Sequence, residues 1–424
     1  MRWMRAAGRA LLVVAVVLAG YAGLGVRPDT GAASDARGPL TLVTAGDLTD
    51  YLGPLLDDWN ESRPGERVTL VELPDSADET RAQMISELRS GRDRFDVLNI
   101  DVAWTSEFAA AGWISPLERG RFPLDAFLRP VVDTATFDGR LYAVPYVTNA
   151  GLLYYRKDIL DLEGEQPPRT WPELVRQAST IAPRHGLDGY AGQFLPYEGL
   201  TVNVTEAVHS AGGSILRDDG TRVTVDSAAA RTGLRFLADG VRDGWIPREA
   251  LGYKEEESRK AFQDGRLLFL RNWPYVYADA GAAGSKVAGR FDAVPLPGAD
   301  GPGTSVLGGS NLAVSSHARH PASAADLISY LTSERVQRRV LTEGSLPPVR
   351  AALYEDPELV RAYPYLPTLR ESVLSAVPRP KSPRYDQVSL AVQAVGQDLM
   401  ALRQTPDEAV ARLARELGAI SRTD

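Results

Sequence analysis

The sequence predicts a two-lobed α/β protein, and three observations carry that reading. Short apolar runs alternate with amphipathic helical stretches over the first hundred residues. The same alternation resumes in a second region that ends near Phe269. About 390 residues follow the N-terminal segment, more than one hydrophobic core usually supports.

The chain opens on Arg2, Arg5 and Arg9, followed by an apolar run over residues 10–26, then Arg27 and the small residues Gly31, Ala32, Ala33 and Ser34. This is the layout of an export signal. The run has 17 residues, the lower limit of the roughly 17–25 that cross a bilayer, so residues 1–33 read either as a cleaved signal or as a retained membrane anchor. Tyr21 follows Leu18-Ala19-Gly20, where a lipid-accepting cysteine would stand, and the chain has no cysteine at all. Thioether lipidation, disulfides and cysteine metal sites are therefore excluded. Loss of the segment removes Arg2, Arg5, Arg9, Arg27 and Asp29, taking the formal charge from −8 to −11. So acidic a chain argues against nucleic acid and anionic lipid surfaces as partners.

Residues 40–44, 68–73 and 95–100 read as strands. Between them, residues 51–59 place Leu52, Leu55, Leu56 and Trp59 on one helical face, and residues 80–88 place Met84, Ile85 and Leu88 on another. Strands and helices of this length build right-handed βαβ units in a parallel sheet. Pro145 demotes the middle of residues 139–155 as a central strand, so this stretch reads as a crossing between lobes. Thr170-Trp171-Pro172-Glu173 opens a helix with the residues of a capping box. The Gly- and Pro-rich residues 298–309 return the chain to the first lobe. Residues 324–341 read as one amphipathic helix, Pro347-Pro348 ends that region, prolines interrupt the chain again at 378–383, and residues 407–417 form a last helix. Lobe 1 is thus expected to comprise 38–147 plus 307–352, and lobe 2 148–306 plus 353–424.

Several chemistries are absent from the sequence. It has no Gly-x-x-x-x-Gly-Lys-Ser/Thr loop for phosphates and no Gly-x-Ser-x-Gly elbow for a nucleophile. His317 and His320 lie in a polar stretch before a helix and read as surface residues rather than metal ligands. No catalytic residue, metal or cofactor is expected. Two aspartates are better placed: Asp47 follows the first strand and Asp101 ends the third. Ligands of open parallel sheets bind outside the carboxyl ends of strands, although helix capping accounts for such aspartates equally well. Trp104, Tyr146, Trp273, Tyr275 and Tyr277 sit at element ends or in loops, and Pro274 keeps Trp273 out of a helix. Aromatic faces suit the CH surfaces of a sugar ring, while carboxylates, amides and arginine forks suit its hydroxyls. Trp59, Trp113 and Trp171, on helix faces or starts, read instead as core packing.

Further segments carry a resemblance. They are Phe-Asp-Val-Leu-Asn-Ile-Asp-Val-Ala-Trp (95–104), Ala-Gly-Trp-Ile-Ser-Pro-Leu (111–117), Gly-Arg-Leu-Tyr-Ala-Val-Pro-Tyr (139–146) and Leu-Tyr-Tyr-Arg-Lys-Asp (153–158). Arg-Thr-Trp-Pro-Glu-Leu (169–174), Phe-Gln-Asp-Gly-Arg-Leu-Leu-Phe-Leu-Arg-Asn-Trp-Pro-Tyr (262–275), Val-Leu-Gly-Gly-Ser-Asn-Leu-Ala-Val (306–314) and Pro-Arg-Pro-Lys-Ser-Pro-Arg-Tyr (378–385) complete the set. In this order and spacing, from residue 38 onward, the chain resembles the extracellular solute-binding proteins of carbohydrate ABC importers, the trehalose/maltose type in particular. The resemblance implies a two-lobed, type II periplasmic-binding-protein-like fold with a hinge and an interlobe ligand cleft. It assigns sugar hydroxyls to Asp47, Asp101, Asn149 and one of Glu255, Glu256 and Glu257, with Glu255 preferred. It assigns stacking to Trp273, close backbone approach to Gly308 and Gly309, and a guanidinium contact to Arg379. Lys381, where a small apolar residue is usual, and the missing cysteine depart from the pattern.

The implied function is capture of a di- or oligosaccharide, trehalose or another α-glucoside, for delivery to ABC permease subunits. No bond is made or broken. The protein is expected as a monomer on the outer face of the cytoplasmic membrane or in the periplasm, touching membrane only through its N-terminal segment. A glycoside hydrolase would also combine carboxylates with aromatics. A same-fold binder of ferric ion or a polyamine would lack the aromatic-plus-arginine set.

Overall fold

A computed structural model describes residues 35–46, 51–217 and 220–422; the export segment and Asp47 lie outside the described residues. Besides two-residue ladders, the strands along the chain are β1 (Leu40–Ala45), β2 (Val68–Leu73), β3 (Val97–Asp101), β4 (Ala143–Ala150), β5 (Leu152–Arg156), β6 (Asp188–Ala191), β7 (Leu267–Asn272), β8 (Phe291–Pro295) and β9 (Leu307–Val314).

They form two sheets, one for each lobe. The first has the order β2-β1-β3-β9-β4 and the second β8-β5-β7-β6. β1 runs parallel to β2 and β3, as the early βαβ pattern requires, and β9 enters from far along the chain, antiparallel to β3 and β4. Leu52, Leu55, Leu56 and Trp59 of helix Leu52–Ser62 and Met84, Ile85 and Leu88 of helix Ala77–Arg89 fill the first core. Each such side chain contributes about 1.5–3 kcal/mol by leaving water. In the second lobe, helix Trp171–Thr180 opens with the Thr170/Glu173 capping box, and Trp171 stacks on Phe236 at 4.3 Å.

The expectation for Pro145 holds and two others are corrected. Pro145 stands in no central strand, and the crossing expected within 139–155 falls at Gly151. The proline lies inside β4, the sheet's edge, at a register shift: Asn311 pairs with Pro145 and Ser310 with Val147. The bulge absorbs the missing N–H and leaves Tyr146 outside the pairing. The helix expected over 324–341 is two helices, Pro321–Leu331 and Glu334–Gly344; Ser333 caps the second by accepting from Val336 N. Finally, residues 353–385 do not join the second lobe. Leu353, Leu359, Leu366, Leu369, Val373 and Tyr385 pack into the first core, whereas Val388, Val392 and Val395 pack into the second. Pro347-Pro348 follows the helix that ends at Gly344, and Thr148 N donates to Pro347 O at 3.1 Å, continuing the sheet edge.

The chain therefore crosses between lobes at Gly151, between β4 and β5; at Ser305-Val306, ahead of β9; and between Val377 and Val388. These crossings are hydrogen-bonded together: Val377 N donates to Ser305 O at 3.0 Å and Leu307 N to Val377 O at 2.8 Å.

Candidate functional site

A cleft of about 840 Å³ lies between the lobes, within the roughly 300–1,000 Å³ of small-molecule sites. The first lobe lines it with Asn99 and Asp101 at the carboxyl end of β3, Trp104, Asn149, Gly308, Gly309 and Ser310. The second lobe contributes Tyr197, Glu198, Lys254, Glu255, Trp273 and Tyr275, and Arg379 of the third crossing completes the wall.

Trp273 is held from every side but one. Its N–H donates to Asn272 Oδ1 at 2.7 Å, its carbonyl accepts from Tyr154 Oη at 2.8 Å, and its Nε1 reaches Glu255 Oε1 at 3.4 Å. Behind the indole, the Arg271 guanidinium carbon lies 4.1 Å from the ring centroid. The ring edge abuts Gly308, where an added Cβ would come within 3.0 Å of it. Pro274 keeps the residue in a loop, and the neighbours fix the plane of the ring.

Arg379 bridges the cleft. Nη1 donates to Glu198 Oε1 at 2.7 Å and Nη2 to Asp101 Oδ1. Glu198 also accepts from Tyr385 Oη and, at 2.6 Å, from Ser389 Oγ. Burial pushes the Glu198 carboxyl above its ordinary value against the pull of Arg379. Burial opposes the Arg379 charge too, but Asp101 foremost, then Tyr385 and Glu198, hold its pKa well above normal. Asp101 Oδ1 accepts from Ala103 N at 2.8 Å as well, a local turn contact; the next helix, Thr105–Ala110, has Trp104 at its N-cap and no side-chain cap, so capping does not account for Asp101.

The acidic triplet at the start of helix Glu255–Gln263 divides its labour. Glu257 accepts from Lys254 N, Glu256 from Arg259 and, at 2.7 Å, from Tyr275 Oη, and Glu255 from Trp273 and Tyr197. Burial first, then the Glu255 charge, raises the Tyr197 phenol, which stays a donor. Several buried polar atoms of the wall have no hydrogen-bond partner among the described residues: Asn99 Oδ1, Asn149 Oδ1, Ser310 Oγ and Arg379 Nε. Such atoms are costly unless a bound molecule or water satisfies them.

Of the residues singled out in the sequence, Asp101, Trp104, Asn149, Glu255, Trp273, Tyr275, Gly308, Gly309 and Arg379 line the cleft. Tyr146 does not: the bulge at Pro145 turns it into the first core, where it is fully buried. Tyr277 lies outside the cleft wall, stacked on Tyr365 at 4.6 Å. Tyr197 and Glu198 were not foreseen. They follow β6 and open helix Glu198–Ser210, the strand-to-helix position that singled out Asp101 in the first lobe.

Fold and cleft together define a two-lobed solute-capture protein. The chain belongs to the bacterial extracellular solute-binding proteins, whose family pattern matches residues 45–338; these are binding proteins and not enzymes. It is 33% identical over 374 residues, 86% of this chain and 89% of the relative, to a probable ABC transporter-binding protein of Deinococcus radiodurans. It is similar to an arabinooligosaccharide-binding protein of Halalkalibacterium halodurans, 24% identical over 346 residues, 74% of this chain and 71% of the relative. The structure of MalE3 of T. maritima with maltose bound superposes with a TM-score of 0.84 at 32% identity, covering 90% of this chain and 99% of that one. A solute-binding protein of Thermotoga lettingae bound with α-D-tagatose gives 0.80 at 25% identity, covering 91% and 100%. No helix among the described residues is long and apolar enough to cross a membrane.

Proposed function

We propose that the chain captures a di- or oligosaccharide, trehalose or another α-glucoside, in its interlobe cleft and hands it unchanged to the permease of an ABC importer. The observation that carries this reading is the Trp273 plate, held in the cleft wall beside the polar side chains of Asp101, Asn149, Glu255 and Arg379. A pyranose ring fits such a wall with an apolar CH face for the indole and hydroxyls for the polar atoms. Sugars lacking a matching hydroxyl are rejected, because a protein group would be left buried and unpaired. Maltose in the T. maritima relative and arabino-oligosaccharides in the H. halodurans relative support the ligand class. The protein acts as an exported monomer, and residues 1–33 are its one contact with the membrane.

A thermal-shift series against trehalose, maltose, isomaltose, maltotriose, mannitol and spermidine tests the reading. A sugar at about 100 times its Kd adds about 2.7 kcal/mol to stability. Stabilisation by an α-glucoside, with no glucose released on incubation, is the expected result. Stabilisation by spermidine alone, or glucose formed in proportion to protein, would overturn it.

A further inference from the structure

Trp273 is the front end of a buried chain of contacts that runs to the hinge. Arg271, 1% exposed, covers the rear face of the indole and forks onto Glu206, with Nε to Oε2 at 2.7 Å and Nη2 to Oε1 at 2.6 Å. Its Nη1 donates to Gln193 Oε1 at 2.9 Å, and Gln193 returns a bond to Arg271 O at 3.0 Å. Glu206 Oε1 accepts in addition from Ser305 Oγ at 2.9 Å and from Val306 N at 3.2 Å. Ser305 Oγ accepts in turn from Gly151 N at 2.6 Å. Gly151 and Ser305-Val306 are two of the three interlobe crossings, and the third is bonded to Ser305 O through Val377 N. The contact is close: a Cβ on Gly151 would lie 2.7 Å from Arg271 Nη2 and 2.8 Å from Glu206 Oε1.

A buried ion pair is a weak device for stability, since desolvating both charges offsets most of their attraction. It is an effective device for geometry: a fork on a carboxylate admits few arrangements. Here the fork has the ligand-facing ring on one side and the crossings on the other. We infer that Arg271 is a positioning residue that couples the Trp273 plate to the hinge through Glu206 and Ser305. A ligand stacked on the indole presses it onto the guanidinium, and the fork then holds Glu206 where both crossings are bonded. The inference rests on the reading of Trp273 as the ligand plate, but the coupling itself is a property of the ligand-free protein.

The test is a double-mutant cycle on the full chain without ligand, using Trp273→Ala and Ser305→Ala, two residues that share no contact. The readout is hydrogen exchange at the Gly151, Val306 and Leu307 amides. Coupling requires W273A to speed exchange at these amides about five-fold, S305A to do so comparably, and the double variant to add little more. Unchanged exchange at the crossings in W273A, or strictly additive effects, would overturn the inference. A parallel maltose titration separates the two claims. If the wild type binds maltose, S305A, which lines no part of the cleft, weakens binding about five-fold, and unchanged affinity counts against coupling. If the wild type binds no sugar of the series above, the sugar reading fails while the exchange cycle still decides the coupling. R271K, which keeps the charge but loses the fork, follows S305A rather than the wild type in exchange.

Discussion

The Arg379 guanidinium joins Asp101 of the first lobe to Glu198 of the second, donating through Nη2 to the one and through Nη1, at 2.7 Å, to the other. Arg379 is 4% exposed and Glu198 6%, so this half of the bridge lies out of water, while the Asp101 side chain stays 21% exposed. The two carboxylates are like charges that only the guanidinium reconciles. Arg379→Met therefore leaves Glu198 buried and uncompensated, at a cost of about 3–5 kcal/mol. Urea unfolding followed by circular dichroism measures this. Adding Glu198→Gln to R379M recovers a large part of the loss; a double variant no more stable than R379M would show that the cost lies in packing and not in charge.

Trp273→Ala removes the plate and exposes the rear guanidinium. Lost stacking area and aromatic contact should weaken the preferred sugar by about 10–100-fold, roughly 1.4–2.8 kcal/mol. Titration calorimetry gives the number, and unchanged affinity would mean that the ligand sits elsewhere in the cleft.

Two adjacent glycines should respond differently to one methyl group. Gly309 has φ +101°, and an added Cβ would sit 2.1 Å from Val147 O. G309A combines a strained backbone, about 1–3 kcal/mol, with a clash against the neighbouring strand. It should lower stability first. Gly308 has ordinary φ, and its Cβ would meet the Trp273 ring at 3.0 Å and Asn149 Cβ at 3.3 Å. G308A should lower affinity with little change in melting temperature, and the reverse ranking would contradict the geometry of both positions.

Much of this architecture was legible in the chain because it rests on local rules. Short apolar runs marked β1, β2 and β3, period-3.6 stretches marked the helices between them, and Thr170 with Glu173 marked a helix start that the structure reproduces. What the sequence hid is non-local. The pairing of Pro145 with Asn311 is made across 166 positions, and the register shift there decides that Tyr146 faces the core; no alternation within residues 139–155 reveals it. The apolar residues of 353–385 suit either lobe equally until the neighbouring surface is known. Tyr197 and Glu198 were overlooked for a different reason: β6 is only four residues long, too short a strand to flag its carboxyl end. The Arg271–Glu206 pair joins residues 65 positions apart, and an arginine inside an apolar strand carries no mark of its partner.

His209 provides a check through pH. It lies near the end of helix Glu198–Ser210, and burial, assisted by the Arg217 charge, lowers its pKa from 6.5 to about 4. The folded state thus binds the proton more weakly than the unfolded chain. The stability that this neutral imidazole preserves is fully present above pH 6.5, falls as the pH drops from 6.5 towards 4, and changes no further below. The total is at most about 3.4 kcal/mol, at 1.36 kcal/mol per unit. Glu198 acts with the opposite sign: its pKa is raised, so its burial cost is relieved as pH falls through the folded value. The comparison that isolates the histidine is therefore the wild type against His209→Gln at each pH. The wild type should lose stability relative to H209Q between pH 6.5 and 4, measured by urea unfolding, and the two curves should run parallel above that window. Parallel curves throughout would mean that the imidazole titrates freely in the folded protein.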